Sequence, residues 1–247
     1  MAVHRDLSLY LKTNADLIVV LAGRVHRRPT GNAVHKLRVA IRRARAALWV
    51  LRRGPGRFRA KALRHSLRRL IRGLGYVREL DVAIKDAGSY HLNSSKLKTR
   101  KRVAERSLRK LTHPDKNRKL AARLKKLRND ADSFYAKPLF QPINTQMQRQ
   151  LRRLLKHHVR SQVELHALRV TLKKIRYIFE AIGKPVDSLR DTQETLGQAH
   201  DLEMLETLTG TTGTNRQLAA EYERLRVRAS TMARPAILFV RGQLRTP

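Results

Sequence analysis

Apolar residues recur at steps of three and four positions along almost the whole chain, and sustained alternation of apolar and polar residues is rare. This period is typical of α-helices that bury one face, so the sequence predicts an all-α protein. Turn residues such as GPG at 54–56 and GKP at 183–185 interrupt the pattern. The predicted helices span residues 6–25, 32–53, 57–73, 75–87, 96–111, 116–132, 144–161, 163–183, 186–208 and 214–232, and PAILFVRGQ at 235–243 is left unassigned.

One of these helices has a close counterpart later in the chain. The segment VHKLRVAIRRARAAL at 34–48 matches LHALRVTLKKIRYIFE at 165–180, with His35 aligned to His166 at an offset of 131 residues. Basic and apolar positions follow in the same order in both segments. An internal match of this kind indicates a duplicated structural unit.

A second pair of segments supports the duplication. LGYVRELDV at 74–82 matches LGQAHDLEM at 196–204, now at an offset of 122 residues. The change of offset indicates that the helices or loops between the two motifs differ in length. We therefore predict two related helical halves, about 1–135 and about 143–235, joined near 133–145, where prolines interrupt helix.

Each matched helix carries a row of cations along one side. At about 100° per residue, side chains at steps of three, four and three residues fall within an arc of about 80°. The first cationic row comprises His35, Arg38, Arg42 and Arg45, and the second cationic row comprises His166, Arg169, Lys173 and Arg176. The apolar stripes that border the rows are Leu37, Ile41, Ala44 and Leu48 in the first copy and Leu168, Leu172, Ile175 and Phe179 in the second. We therefore expect both rows at the edge of a core.

The net charge indicates what such rows bind. Lys and Arg number 55 against 19 Asp and Glu, which gives a formal net charge of +36 at pH 7. Like charges one helical turn apart repel by roughly 0.2–0.5 kcal/mol, and by more where water is partly excluded. Two matched rows without acids between them are therefore expected to bind a polyanion, which relieves the repulsion. Nucleic acid, an anionic membrane surface, an inorganic phosphate polymer and an acidic protein all carry the required charge.

Two more arginines, Arg68 and Arg190, are candidates for the same site. Arg64 and Arg68 flank a leucine stripe, and Arg68 aligns with Arg190 at the offset of 122 residues. The alignment favours Arg68 and Arg190 as residues that line a cavity, and a solvated helix flank stays open as the alternative. The histidines at the start of the rows can donate hydrogen bonds to phosphate and gain charge as the pH falls, but a structural role for them stays open as well.

Other kinds of site are excluded or disfavoured by the residues present. The absence of cysteine rules out disulfides, thiolate zinc sites and cysteine nucleophiles. His200 and Asp201 resemble half of a metal phosphohydrolase signature, but partners at helical spacing are missing and few acids lie near the rows to bind magnesium. We expect no enzyme activity, no metal site and no cofactor. No stretch approaches the roughly twenty apolar residues of a membrane span, so we expect a cytoplasmic protein without membrane contact.

The four matched segments, in this order, resemble the CHAD domain, a conserved-histidine α-helical domain. The resemblance covers nearly the whole chain, so residues 1–247 are interpreted as a single CHAD domain. It implies two pseudo-symmetric four-helix-bundle halves around a basic central cavity, and binding of inorganic polyphosphate by the two cationic rows without hydrolysis. In two departures, Glu79 stands where the family usually has Asp, and His200 stands where the first copy has Arg78. We expect both to be helix-packing or ion-pair positions.

Polyphosphate agrees better than nucleic acid with the residues near the rows. Aromatic residues make up only 5% of the chain, with Trp49 and Tyr177 near the rows, whereas proteins that hold single-stranded nucleic acid usually offer aromatic stacking surfaces. The rows also lack the Asn and Gln that read base edges. Inorganic polyphosphate is therefore the expected partner and could bring the protein to polyphosphate granules. Non-specific RNA or DNA binding is the alternative, and the sequence leaves the oligomeric state open.

Overall fold

The structure, a computed structural model, describes residues 2–51, 57–131, 161–184, 186–211 and 215–244, together with positions 145, 147–149 and 151–153. All regular elements within these residues are helical, which confirms the predicted all-α class. The helices are α1 (Ala2–Arg27), α2 (Gly31–Leu51), α3 (Arg57–Ser89), α4 (Ser95–Leu111), α5 (Pro114–Ala131), α6 (Gln162–Ala181), α7 (Arg190–Thr209) and α8 (Arg216–Gln243). A short 3-10 turn, Asp187–Leu189, precedes α7. The predicted helix at 144–161 lies largely outside the described residues.

The chain groups into two compact units. The first unit comprises Met1–Asp81, Ser95–Phe140 and Ala181–Gly183, and the second comprises Val82–Ser94, Gln141–Glu180 and Lys184–Pro247. In the first unit, α1 packs against α2, α4 and α5. In the second, α7 packs against α8 and against the 3-10 turn. The halves expected from the repeat, about 1–135 and about 143–235, and their pseudo-symmetry stay predictions.

Side-chain caps set where the two row-bearing helices begin. The hydroxyl of Thr30 accepts a hydrogen bond from the backbone N–H of Ala33 at 3.3 Å, at the start of α2. Before α6, the backbone N–H of Ser161 donates to the Glu164 carboxylate at 3.0 Å, and the N–H of Glu164 donates to the Ser161 hydroxyl at 3.2 Å. Such caps stabilise a helix end by about 1 kcal/mol. They fix the first turn, and with it the side of the helix on which each row lies.

The apolar stripes predicted beside the rows form the buried sides of α2 and α6. The side chains of Leu37, Ile41, Ala44, Leu48, Leu168, Leu172, Ile175 and Phe179 are fully buried. Burying a Leu, Ile or Phe side chain contributes about 1.5–3 kcal/mol each, so these stripes hold α2 and α6 in their units. The prediction that the two rows border a core is confirmed.

The predicted break in the third helix is wrong, because α3 continues without interruption from Arg57 to Ser89. Gly73 and Gly75, which flank the predicted break, lie inside the helix. A β-carbon added at Gly73 would come within 2.9 Å of Cδ1 of Leu111, so the glycine lets α4 approach α3 closely. A glycine in a helix interior costs only about 1 kcal/mol, which the buried residues Leu74 and Val77 offset.

The predicted end of the last helix at 232 is also wrong, because α8 extends to Gln243 and includes the segment that was left unassigned. Pro235 lies within it and lacks the N–H that the helix would use, at a cost of about 3 kcal/mol. Burial of Ala236, Ile237 and Val240 directly after the proline offsets this cost. Among the described helices, none combines the length and the apolar character that crossing a bilayer requires.

Candidate functional site

The first cationic row lies on α2 at the edge of the first unit's core. His35 is exposed, and Arg38, Arg42 and Arg45 are half-buried. Arginine side chains commonly lay their aliphatic stems along apolar surface and keep the guanidinium near water. The buried stripe beside the row supplies such a surface, so the row combines partial desolvation with access for a ligand.

Arginines of α3 extend this row at both of its ends. Although His35 is exposed as a residue, partial desolvation beside the core lowers its pKa, and the positive charges of Arg78, Arg38 and Arg42 lower it further. Burial, then Arg68 and Arg42, likewise lowers the pKa of Arg45. Since Arg78 acts on the beginning of the row and Arg68 on its end, α3 runs antiparallel to α2 along the row. The two helices therefore form one cationic surface.

Arg64 completes this surface next to Arg45. Burial and the charge of Arg45 lower the pKa of Arg64. The Nε atoms of both side chains are buried, and neither has a hydrogen-bond partner within the described part of the chain. A buried N–H without a partner costs about 1–3 kcal/mol. We call this set the basic cluster of the first unit; it comprises His35, Arg38, Arg42, Arg45, Arg64, Arg68 and Arg78.

Asp81, the second of two acids in the LGYVRELDV motif, lies beside the first turn of α2. One of its carboxylate oxygens pairs with Lys101 Nζ at 2.6 Å, and the other lies 3.2 Å from the position of a β-carbon on Gly31. A negative charge at a helix N-terminus interacts favourably with the helix dipole. Asp81 therefore lies at the start of α2 and pairs with Lys101 through one oxygen, while its Oδ2 is buried without a hydrogen-bond partner among the described residues.

The second cationic row lies on α6 in the second unit. His166 is exposed, Lys173 and Arg176 are half-buried, and Arg169 is only 9% exposed. The same side of α6 opens into a small cavity of about 20 Å³, which is lined by Gln162, His166 and Arg169 of α6 and by residues of α7 and α8. Arg169 is thus the least accessible member of the row.

His200 lies beside His166, with ring centroids 5.4 Å apart, and its Nδ1 is 3.6 Å from a carboxylate oxygen of Glu203. Position 200 is equivalent to position 78 at the offset of 122 residues, and Arg78 acts on His35 in the first unit. The close approach of His200 to Glu203 agrees with the expected helix-packing or ion-pair role of this position. A second role was not predicted from the sequence: each copy places a basic residue of the LG motif near the row histidine. The two offsets, applied together, contain the signal for this pairing.

The end of the second row is held by its own unit. The Arg176 guanidinium donates from Nε to the Glu180 carboxylate at 3.1 Å and from a terminal nitrogen to Gln193 at 2.9 Å. It also lies 5.1 Å from the centre of the Tyr177 ring, a cation–π distance. The charge of Arg176 is therefore partly compensated inside the protein.

The two additional candidates, Arg68 and Arg190, have different surroundings. Arg68 is exposed and near enough to Arg45 to lower the pKa of that arginine, so the structure brings it to the first row. Arg190 is exposed at the first residue of α7. No side-chain hydrogen bond or ion pair of Arg190 is present among the described residues, so its assignment to the site stays a prediction.

Neither aromatic residue near the rows offers a stacking surface. Trp49 is 4% exposed and Tyr177 is 7% exposed, because both side chains are part of the core. Within the described residues, no group of three or more His, Asp or Glu is placed to hold a metal ion. The expectation that the two rows share a central cavity stays a prediction.

Comparisons with known proteins agree with the resemblance seen in the sequence. The family model of the CHAD domain matches residues 15–210. The crystal structure of the CHAD domain from the plant Ricinus communis is similar, with a TM-score of 0.69 and 19% sequence identity over 99% of this chain and 92% of that one. PptA from Streptomyces chartreusis has a TM-score of 0.65 and 17% identity over 99% of both chains. At these identities the likeness establishes the fold, and the comparison with curated proteins gives no match.

Proposed function

Because the chain belongs to the CHAD domain family, we propose that it binds inorganic polyphosphate through the basic cluster of the first unit and the second cationic row, without hydrolysing it. The family resemblance implies this ligand class, and the side chains described above support it. Non-specific binding of RNA or DNA is the alternative, since phosphate contacts dominate the affinity of such complexes.

The basic cluster is the observation that carries the proposal. Burial and then neighbouring arginines shift the pKa values of His35, Arg45 and Arg64, and no acid among the described residues raises any of them. A ligand that satisfies this surface must supply dense negative charge and acceptor oxygens at short intervals. Polyphosphate has both along its entire length, and guanidinium groups bind such oxygens through short charge-assisted hydrogen bonds.

Burial of Trp49 and Tyr177 favours polyphosphate over single-stranded nucleic acid. Base stacking on aromatic side chains contributes about 1–3 kcal/mol per base in proteins that bind single strands. Because the aromatic side chains near the rows are buried, a single-stranded nucleic acid would bind here without the stacking contribution. Polyphosphate has no bases, so its affinity does not depend on stacking.

Binding without turnover is supported by how the nearby acids are engaged. Asp81 pairs with Lys101 and lies at the α2 N-terminus, and Glu180 pairs with Arg176. Carboxylates held in this way serve the fold and the charge balance of the rows. We therefore expect that incubation with polyphosphate and magnesium releases no orthophosphate, and sustained release would refute this part of the proposal.

A pair of charge reversals tests the site. Arg42→Glu together with Lys173→Glu changes one half-buried member of each row. Each lost phosphate contact lowers affinity about fourfold at 0.15 M salt, for a salt slope of about −0.7 per contact, so the double variant should bind long-chain polyphosphate at least about tenfold more weakly. The salt slope should become shallower by about 1.4.

The matched control reverses two arginines outside the rows. Arg118→Glu together with Arg224→Glu makes the same change of net charge at side chains that are 80% and 72% exposed. We expect less than about a threefold loss of affinity for this control, because general electrostatic attraction falls equally in both variants. Equal losses in the two double variants, with helicity unchanged by circular dichroism, would place the binding site elsewhere.

A further inference from the structure

The two cationic rows differ at their C-terminal ends. The offset of 131 residues aligns Arg45 of the first row with Arg176 of the second, and it aligns Trp49 with Glu180. An acid four residues after the last arginine is therefore present in the second copy and replaced by an apolar side chain in the first. This acid, Glu180, is the side chain that pairs with Arg176 in the second row.

In the second unit, the acid is in place against the arginine. Glu180 is 15% exposed and lies 3.1 Å from Nε of Arg176, and Gln193 accepts a further hydrogen bond from the same guanidinium. Gln193 is itself fixed, because its side-chain NH₂ donates to the backbone carbonyl of Leu172 at 3.2 Å. Arg176 is thus oriented by groups that a ligand would have to displace or share.

In the first unit, Arg45 has the opposite surroundings. The charges that act on it are those of Arg68 and Arg42, and its buried Nε has no hydrogen-bond partner within the described residues. Trp49, at the position equivalent to Glu180, is buried and carries no charge. An incoming phosphate therefore relieves cation–cation repulsion at Arg45, whereas at Arg176 it replaces a carboxylate that already compensates the charge.

We infer that the two rows contribute unequally to polyphosphate binding, with Arg45 as a strong contact and Glu180 as an internal competitor for Arg176. The inference rests on the proposed function and specifies how that site divides its affinity. Glu180 lowers the affinity of the second row, since its carboxylate occupies the same guanidinium that a phosphate group would contact. The second row then engages a polymer mainly through its other members.

Removing the competitor provides the test. Glu180→Gln keeps the size of the side chain and frees Arg176, so affinity for long-chain polyphosphate should rise about fourfold at 0.15 M salt, the value of one added contact. Glu221→Gln is the matched control, because Glu221 pairs with the exposed Arg224 on α8 and its loss raises the net charge equally. The control should change affinity by less than about twofold.

A second comparison removes the aligned arginines themselves. Arg45→Gln should lower affinity about fourfold or more, whereas Arg176→Gln combined with Glu180→Gln removes an arginine together with its competitor and should lower it by less than about twofold. The inference is wrong, while the proposed function stands, if Glu180→Gln and Glu221→Gln change the affinity equally. It is also wrong if Arg45→Gln and the Arg176→Gln, Glu180→Gln double variant lose the same affinity. Failure of the wild-type protein to bind polyphosphate would instead overturn the proposed function.

Discussion

Replacing Arg64 by Met should stabilise the ligand-free protein while weakening its binding of polyphosphate. The pKa of Arg64 is lowered by burial and by Arg45, which means that the folded state disfavours the charged form of this side chain. Its buried Nε has no hydrogen-bond partner among the described residues. Met keeps an unbranched apolar stem of similar length, so the substitution removes the charge and the unsatisfied donor without opening a large cavity.

The magnitude follows from these two contributions. An unsatisfied buried N–H costs about 1–3 kcal/mol, and repulsion between cations one turn apart adds roughly 0.2–0.5 kcal/mol. Lost contacts of the stem and the guanidinium offset part of this gain, which leaves about 1 kcal/mol of net stabilisation. For a chain of this size, 1 kcal/mol corresponds to a rise in Tm of about 2–4 °C.

The assay is thermal unfolding followed by circular dichroism at low and at high salt, together with a polyphosphate titration. Arg118→Met, which breaks a pair with Asp115 on the surface, is the control and should leave Tm within about 1 °C, since exposed ion pairs contribute little. The gain for Arg64→Met should shrink at 1 M salt, where repulsion is screened. A lowered Tm for Arg64→Met would refute the view that the basic cluster is held at a cost to the fold.

Three further predictions concern pH and the supports of the rows. Partial burial and neighbouring cations hold the pKa of free His35 below its usual value, and bound polyphosphate should raise it, so affinity should increase as the pH falls from 8 to 5.5. Titrations should show a weaker increase for His35→Gln, and a pH profile unchanged by this substitution would count against contact between His35 and the ligand. Thr30→Ala should lower the free energy of unfolding by about 1 kcal/mol in urea denaturation through loss of the α2 cap, and no loss would show that the cap is unimportant. Lys101→Met leaves Asp81 without its ion pair, so it should lower the free energy of unfolding by about 1–3 kcal/mol in the same assay. The affinity of the folded protein for polyphosphate should stay unchanged, and a large loss of affinity would assign Lys101 to the binding site.

The helical rows and their buried stripes could be predicted because they depend on a local period. Steps of three and four residues fix which side chains share a face of a helix, whatever the helix packs against. The burial of Leu37 and Ile41 beside the first row, and of Leu168 and Leu172 beside the second, therefore agrees with the sequence analysis. The all-α class followed from the same signal.

The contributions of α3 could not be predicted from a helical period alone. Arg78 and Arg64 reach the first row because α3 packs antiparallel to α2, and packing of this kind leaves no period in the sequence. The continuity of α3 through Gly73 depends on the close approach of Leu111, which is likewise a tertiary contact. By contrast, the sequence does contain a signal for the ion pair that compensates the charge of Arg176, since Glu180 follows it at the spacing of a helical ion pair.

The most direct test of the account is a competition between two polyanions for the wild-type protein. Long-chain polyphosphate and single-stranded DNA of matched charge are titrated against each other at about 0.15 M salt, where surface attraction is screened beyond about 8 Å. The account predicts that polyphosphate displaces the DNA and binds at least about tenfold more tightly, because the cationic surface satisfies phosphate oxygens and offers no face for a base. Equal affinities, or displacement of polyphosphate by the DNA, would contradict it and favour a general nucleic-acid-binding protein.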